Sequence, residues 1–315
     1  MKRILALTMA VVMAVGLCAC GGGSTLNMAT GGTSGTYYGF SGVLANVLNE
    51  AVGDTLNITV EATGASGANI DLIDTGADQL AIVQNDVMYY AYTATDMYEG
   101  KTPLESYSAV MSCYPEYVQI IANKNITSIE DLKGKKVSVG DAGSGVEFNA
   151  RQILAAYGID IDSDIEKNNQ GFADSADSLK NGTIDAAFVV AGYPTTAVSE
   201  LASTYSFNIL AIDQEHADAL MNEYGFYTYG VIPGGTYSCV AEDVPAVAVM
   251  ATIIARNDVE EDVIYTLVEG IFDNQDAITE GHAKGAELSV ETAVSGIDIP
   301  FHPGAVKYFT EVGAM

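Results

Sequence analysis

Short apolar runs alternate with amphipathic stretches from Leu26 to the end of the chain. The runs have the length and β-branched content of buried strands, whereas between them apolar residues recur every three or four positions, as on one face of a helix. This alternation predicts an α/β protein with largely parallel sheets flanked by helices. The predicted strands include 26–30, 56–63, 80–83, 108–114, 116–123, 207–213 and 244–255, and the predicted helices include 87–94, 214–224, 259–272, 275–283, 290–295 and 304–313.

Two prolines and one capping pattern add local detail to this prediction. Pro115 separates two apolar runs and predicts a break between two strands. Ser128, with Asp131 three residues later, fits a helix start of the capping-box kind. Pro194 follows the apolar run ending at 190 and is expected in the first turn of a helix, where a missing N–H costs nothing.

The order of the elements predicts two lobes and a hinge. One lobe would combine residues 26–122 with residues 236–315, and the other would be the insertion 123–235. Two chain crossings form a natural hinge, and the cleft between such lobes is where solutes bind. We therefore expect the candidate site at the strand ends that face this cleft.

Three glycine- and serine-containing loops each follow a predicted strand and open a predicted helix. A helix start presents unpaired N–H groups and a partial positive charge of roughly half a unit, so these loops could hold an oxyanion without arginine or lysine. Each serine could instead be an ordinary helix N-cap. The candidate residues in these loops are Ser34, Gly35, Thr36, Ser66, Gly143, Ser144 and Gly145.

Further candidates lie near the same strand ends. Gln84 and Asp86 follow the run 80–83 directly, so Asp86 could bind an ammonium or hydroxyl group and Gln84 could orient an amide. Asp86 could also simply cap the helix that follows it. Tyr37 and Tyr193 could form walls of the cleft, although Tyr37 lies on the apolar face of its helix and packing is its favoured role.

Charge limits the partners of the chain. The formal net charge is −28, and removal of residues 1–19, which contain Lys2 and Arg3 but no acid, makes it −30. Such a field repels nucleic acid and anionic lipid. It also repels anionic solutes at long range, so an anion site must depend on local donors.

The first twenty residues predict export and a lipid anchor. Lys2 and Arg3 precede the uncharged run 4–17, which is too short to span a bilayer as a helix. The run ends in Leu17-Cys18-Ala19-Cys20, which resembles a bacterial lipobox with Cys20 as the acylated residue. Residues 1–19 would be the signal peptide and 20–25 a glycine-rich tether, which places the protein at the outer face of the bacterial cytoplasmic membrane. An ordinary secretory signal cleaved nearby is the alternative.

The remaining polar residues give few indications of catalysis. His216, His282 and His302 are isolated, and no metal-binding, nucleotide-binding or nucleophile-elbow motif occurs, so no metal, cofactor or catalytic residue is predicted. Cys113 and Cys239 could form a disulfide or remain two separate thiols.

The quoted motifs resemble those of the TAXI family, the extracytoplasmic solute receptors of TRAP transporters. The resemblance covers nearly the whole chain after Cys20, in the order of the family. The matching segments are ATGGTSGTYYGFSGVLANVLN, ATGASGAN, LAIVQNDVMYYAY, CYPEYVQIIAN, DLKGKKVSVGDAGSGVEFNARQILAAYG, AAFVVAGYPTTAV, YGVIPGGTY with DVPAVAV, and IPFHPGAVKYFTEVG.

This resemblance implies a two-lobed, periplasmic-binding-protein-like fold of type II, with two largely parallel sheets and a hinge. It also implies a monomeric receptor that is not an enzyme, takes a small anionic or zwitterionic solute such as glutamate or glutamine, and delivers it to a TRAP-type membrane permease. A lipid-anchored serine hydrolase and a ligand-sensing subunit of a membrane receptor are the alternatives. By the resemblance, the binding loops fall on Ser34, Gly35, Thr36 and Tyr37, on Gly143, Ser144 and Gly145, and on Ala191, Gly192, Tyr193 and Pro194.

Overall fold

The computed structural model describes residues 23–315, so the predicted signal peptide and the acylated Cys20 lie outside the described residues. The strands are β1 Ser24–Ala29, β2 Leu56–Glu61, β3 Leu80–Gln84, β4 Tyr107–Ala122, β5 Lys136–Ser138, β6 Glu166–Asn168, β7 Ala186–Ala191, β8 Asn208–Leu210, β9 Thr228–Ile232 and β10 Val244–Arg256. The α-helices are α1 Thr36–Ala51, α2 Ser66–Asp74, α3 Asn85–Thr93, α4 Gly145–Ala156, α5 Phe172–Lys180, α6 Thr196–Ala202, α7 Gln214–Tyr224, α8 Glu261–Asp273, α9 Gln275–Gly281, α10 Val290–Ala293 and α11 Pro303–Glu311.

The strands form a single mixed sheet with helices on its faces, which confirms the α/β class. Its order is β2-β1-β3-β10-β4-β7-β5-β6, with β8 beside β4 and β9 beside β10. The outer strands pair in parallel, whereas β10 and β4 run antiparallel to each other and to their other neighbours. The sequence predicted two separate sheets, but the long strands β4 and β10 hydrogen-bond side by side and join both halves.

The predicted break at Pro115 is wrong, because β4 continues through it. Met250 faces Pro115 in the register of β4 and β10, and its N–H donates to Asn85 Oδ1 over 2.9 Å. On the other side of β4, pairing with β7 begins only at Tyr117. Neither neighbouring strand therefore needs the N–H that proline lacks.

Two pairs of hydrophobic clusters fill the interior, and they divide along β4 and β10. The clusters around α1, α2, α3, α8 and α11 draw on β4 up to Tyr114 and on β10 from Ala251, and one of them also includes Phe148 of α4. The clusters around α4, α6 and α7 draw on β4 from Tyr117 and on β10 up to Val249. We call the half that contains α1 the first half and the half that contains α4 the second half.

Other local predictions differ from the structure. Strand β1 begins at Ser24, so Ser24 and Thr25 belong to the sheet and not to the predicted tether. Asp131 Oδ2 does accept the N–H of Ser128, but only a 3-10 turn, Glu130–Leu132, follows and no α-helix. Pro194 precedes α6, whose N-cap is Thr195, and the Tyr193–Pro194 peptide is cis.

Two further features bear on the predictions from the sequence. Cys113 is a buried free thiol in β4, and Cys239 is a partly exposed free thiol in the second half, so the disulfide alternative is wrong. Among residues 23–315, no helix has both the length and the apolar character required to cross a membrane.

Candidate functional site

A cavity lies between the two halves, where the chain leaves the carboxyl ends of β1, β3, β5 and β7. Side chains and backbone from both halves surround it. The lining residues of the first half are Gly31, Gly32, Ser34, Gly35, Thr36, Tyr37, Ala65, Ser66, Gln84 and Glu116, and those of the second half are Asp141, Ser144, Gly145, Val146, Gly171, Phe172, Val190 and Ala191.

Three helices direct their N-terminal ends at this cavity. Helices α1 and α2 have no side-chain cap, so their first N–H groups are not occupied by a capping group. Helix α4 is capped by Ser144 Oγ, which accepts the N–H of Glu147 over 3.3 Å. The Ser144 hydroxyl, expected from the sequence to bind an anion, therefore also has a structural role as a helix cap. The partially positive N-terminal ends of all three helices nevertheless face the same cavity.

Ser66 is not the N-cap of its helix, in contrast to one of the two roles considered for it from the sequence. It is the first residue of α2 rather than the N-cap, which is Ala65 at a positive φ of 65°. Ser66 Oγ accepts the N–H of Gln84 over 3.1 Å, which fixes the end of β3 against the start of α2.

A buried acid faces these helix ends. Glu116 on β4 is only 2% exposed, and its Oε2 accepts the hydroxyl of Tyr37 over 2.6 Å. Burial, reinforced by the nearby charge of Asp86, raises the pKa of Glu116 well above its usual range, against the opposing effects of Tyr37 and Lys284. Glu116 is therefore an acid whose ionised form is destabilised by its surroundings in the cavity.

Gln84 supplies a second acceptor at the cavity. Its side chain is 2% exposed, and Oε1 is buried without a hydrogen-bond partner among the described residues. This oxygen lies against Gly145 at the start of α4, where a β-carbon would come within 1.8 Å of it. Glycine at 145 therefore allows Gln84 from the first half to reach the second half.

Residues that line the cavity, or that adjoin its lining, make contacts between the two halves. Thr36 Oγ1 donates to Gly192 O over 2.9 Å, and Ala197 N donates to Ser34 O over 3.2 Å. Gly67 and Gly143 pack so closely that a β-carbon on Gly67 would lie 2.2 Å from Gly143 O. The structure thus presents the two halves in contact.

The structure brings most of the predicted site residues together. Those that line the cavity are Ser34, Gly35, Thr36, Tyr37, Ser66, Gln84, Ser144, Gly145 and Ala191. Those that do not line it are Asp86, Gly143, Gly192, Tyr193 and Pro194. Tyr37 combines both roles considered for it, because its ring belongs to the core of the first half while its hydroxyl reaches Glu116.

Asp86 points away from the cavity into a polar contact between the halves. Its carboxylate accepts the N–H of Val87 over 2.8 Å and the Nδ2 of Asn149 over 2.8 Å. Burial raises the pKa of Asp86 to about 6, against the effect of these two hydrogen bonds. Asn149 also donates to Tyr227, which donates to Gln152. Asp86 therefore helps to join α3 to α4.

The turn 191–194 lies behind the cavity against a buried cation. Lys284 Nζ is 4.8 Å from the centre of the Tyr193 ring, and it pairs with Glu287 Oε1 over 2.5 Å. A β-carbon on Gly192 would come within 2.5 Å of Lys284 Cε. Lys284 is thus already engaged by Glu287 and is not among the lining residues.

Sequence reasoning missed Glu116, Asp141 and Phe172. Glu116 had a visible signal, because it is the only charged residue between 106 and 123, within a strand that is otherwise buried or uncharged. Asp141 is partly buried, and burial together with the charge of Asp174 raises its pKa. Phe172 opens α5 and brings its ring within 3.5 Å of the β-carbon position of Gly35 across the cleft.

The three histidines have partners elsewhere. His216 stacks on Tyr157 with ring centres 3.7 Å apart, and His302 Nε2 lies 3.1 Å from Val259 O. His282 packs edge-on against Phe40, with ring centres 5.8 Å apart. None of the three belongs to the lining of the cavity.

Comparison with solved structures shows a shared fold. The alkanesulfonate-binding protein SsuA of Xanthomonas axonopodis pv. citri, solved with MOPS bound, superposes with a TM-score of 0.51 at 16% identity, over 91% of this chain and 83% of that chain. A putative L-cystine ABC transporter protein of Listeria monocytogenes gives a TM-score of 0.52 at 15% identity, over 84% of this chain and 98% of that chain.

A third structure has the same architecture. The binding protein component of an ABC phosphonate transporter from Pseudomonas aeruginosa has a TM-score of 0.53 at 12% identity, over 83% of this chain and 79% of that chain. Together these likenesses give the chain a periplasmic-binding-protein-like fold. The model of the NMT1-like family matches residues 28–313, and the chain therefore belongs to the NMT1-like family.

Proposed function

We propose that this protein is an extracytoplasmic solute-binding receptor that captures a small carboxylate between its two halves and delivers it to a membrane transporter. The observation that carries the proposal is the convergence of the N-terminal ends of α1, α2 and α4 on one cavity. Helix ends of this kind favour negatively charged groups and supply N–H donors directed at them.

The energetics require several donors acting together. One helix end contributes about 0.3–2 kcal/mol to binding an anion. No lysine or arginine is among the residues that line the cavity. Affinity would therefore come from the helix ends and the serine hydroxyls in a cavity from which closure excludes water, where electrostatic interactions are stronger.

Closure in this proposal is a hinge motion of two lobes. The sequence placed the lobes at 26–122 with 236–315 and at 123–235, and the division of the hydrophobic clusters near Pro115 and Met250 suggests where β4 and β10 would bend. The contacts of Thr36 with Gly192 and of Gly67 with Gly143 would form as the lobes close.

The transporter in this proposal is of the TRAP type, as the sequence resemblance to the TAXI family implies. Acylation of Cys20 would keep the monomeric receptor at the outer face of the cytoplasmic membrane. The named structural neighbours belong to ABC importers for alkanesulfonate, cystine and phosphonate, and all three of these ligands carry an oxyanionic group. If the partner is a TRAP-type permease, we expect proteoliposomes that contain both proteins to take up the solute when an ion gradient is applied. ATP should not be required.

Binding accounts for the site better than serine chemistry. A serine hydrolase requires a base beside its nucleophile. Ser66 Oγ is engaged by the N–H of Gln84, Ser144 Oγ caps α4, and the three histidines contact other parts of the chain. We therefore propose capture and release of the solute without a chemical step.

Native mass spectrometry followed by calorimetry tests the proposal. The gently purified protein should carry a small acid, and titration with that acid should give saturable binding. Ser144→Ala should weaken binding several-fold, because it removes a hydroxyl at the start of α4. Ser289→Ala is the matched control, since Ser289 Oγ caps α10 outside the cavity by accepting the N–H of Thr292 over 3.0 Å. Equal affinity of the Ser144→Ala variant and the wild type would contradict the role of the second half.

A further inference from the structure

We propose that Glu116 and Gln84 form a subsite for a protonated nitrogen, and that the ligand is a zwitterion with no net charge. This inference rests on the proposed function and narrows its ligand class. The acid group of the ligand would lie at the helix ends, and its ammonium group would lie at Glu116 and Gln84. Glu116 would then be the residue that determines specificity.

Glu116 has hydrogen-bonding capacity that the described residues do not fill. A carboxyl group can accept several hydrogen bonds. In the structure only Oε2 has a donor among the described residues, the hydroxyl of Tyr37, while the side chain lines the cavity. A ligand placed in the cavity is the remaining source of donors for this group.

The side-chain oxygen of Gln84 is a second acceptor that has no hydrogen-bond donor among the described residues. Its Oε1 is fully buried and has no donor among residues 23–315, although its backbone N–H is held by Ser66. Leaving a buried acceptor without a donor is energetically costly. A ligand N–H group near Gln84 would remove this cost, so the cavity favours a ligand that brings donors as well as an acid.

Acidic groups outnumber basic groups around the cavity. Two carboxyl groups, Glu116 and Asp141, line the cavity, and the nearest buried cation, Lys284, is paired with Glu287. Asp86 also lies close enough to raise the pKa of Glu116. An ammonium group offsets this excess of acid, whereas a second carboxylate on the ligand would add to it. The surroundings therefore favour a neutral zwitterion over a dicarboxylate or an acidic amino acid.

Calorimetric titration with matched pairs of small acids tests the inference. Each pair consists of an amino acid and the same acid without its amino group: glutamine and glutaramate, leucine and 4-methylpentanoate, alanine and propionate. Glutamate and glutarate complete the set. We expect at least one neutral amino acid to bind at least 100-fold more tightly than its partner without the amino group, and at least 10-fold more tightly than glutamate and glutarate.

Variants assign this preference to the two residues. Glu116→Gln keeps an oxygen for the Tyr37 hydroxyl and should reduce the preference for the amino group at least 10-fold. Gln84→Met, of similar length, should reduce it as well, which keeps the test valid if the Glu116 variant folds poorly. Asp78→Asn is the control, because Asp78 is a buried acid that does not line the cavity, and it should leave the ratio unchanged.

Each outcome has a distinct meaning. Equal binding of the amino acids and their partners, or tightest binding of glutarate or glutamate, overturns the inference and leaves the proposed function standing. A strong preference that neither Glu116→Gln nor Gln84→Met reduces overturns the assignment to these residues. Failure of every acid in the set to bind contradicts the proposed function and the inference together.

Discussion

Gly67 and Gly143 face each other across the cleft so closely that a β-carbon on Gly67 would lie 2.2 Å from the carbonyl oxygen of Gly143. The obstacle is backbone on both sides, so a side chain at 67 cannot be accommodated by a change of rotamer. The packed arrangement of the two halves thus depends on the absence of one methyl group.

The methyl group added by Gly67→Ala should force the two halves apart. We expect an increased radius of gyration by small-angle X-ray scattering and ligand affinity reduced at least 10-fold. Gly42→Ala is the matched control, because Gly42 also lies in a helix, α1, and has no other atom within 4 Å of its β-carbon position. Both substitutions gain up to about 1 kcal/mol of helix propensity. An unchanged radius and affinity in Gly67→Ala would show that the halves do not meet at this point in solution.

The buried carboxyl of Asp86 should make the stability of the protein depend on pH. Burial raises its pKa from 3.8 to about 6, so the folded protein binds more protons than the unfolded chain between these values. The contribution of Asp86 to the free energy of unfolding therefore falls as pH rises from about 4 to about 6. Asp86→Asn should abolish this part of the pH dependence and raise the free energy of unfolding at pH 7 by about 1–3 kcal/mol.

Urea unfolding of both proteins at several pH values measures this effect. Asp131→Asn gives the opposite sign as a control, since hydrogen bonds from the backbone of Thr127 and Ser128 lower the pKa of Asp131. The ionised carboxylate of Asp131 stabilises the folded protein above about pH 4, and this stabilisation is lost on acidification. Asp131→Asn should therefore lower the free energy of unfolding at neutral pH. Parallel pH profiles for the wild type and Asp86→Asn would contradict the burial of an ionisable group at 86.

Two neighbouring tyrosines should respond oppositely to loss of their hydroxyl groups. Tyr37→Phe keeps the ring but leaves Glu116 Oε2 without its donor, which should lower the free energy of unfolding by about 1–3 kcal/mol. The Tyr114 hydroxyl is buried with no partner among the described residues, so Tyr114→Phe should be neutral or stabilising. Chemical denaturation compares the two variants, and equal losses would contradict the assigned hydrogen bond.

The two thiols should differ in their reactivity. Cys113 is fully buried, and burial raises the pKa of its thiol above the usual range, whereas Cys239 is partly exposed. Of these two thiols, iodoacetamide should therefore label only Cys239 in the folded protein and both in urea without reductant, as located by mass spectrometry of peptides. Cys239→Ser should remove the native label. Absence of both labels in urea would indicate a disulfide.

The fold was predictable where periodicity and burial agree. The apolar run 244–255 predicted a central strand, and β10 lies between β3 and β4. Pro115 misled the prediction because its tolerance depends on the pairing of distant segments: Met250, opposite Pro115, directs its N–H to Asn85, and β7 pairs with β4 only from Tyr117. Sequence-local rules contain no information on such a distant partner.

The candidate site was predictable only in part for a similar reason. The helix starts at Ser34, Ser66 and Ser144 carry local signals, and the structure brings all three to one cavity. The prediction chose the wrong acid. Asp86 directly follows a strand and was expected to face the cleft, but its side chain turns toward Asn149. Glu116, in the middle of a strand, lines the cavity instead. Which face of a strand meets a cleft depends on how the two halves pack.

The pairing of β4 with β10 constrains how the halves can move. Two antiparallel strands bonded edge to edge form a ribbon, which flexes across its thin direction far more easily than within its own plane. Each opening stroke would follow one arc and return the start of α4 to the same place opposite α1. In the proposed receptor, the two halves would thus recover their alignment after every release of ligand without a separate guiding element.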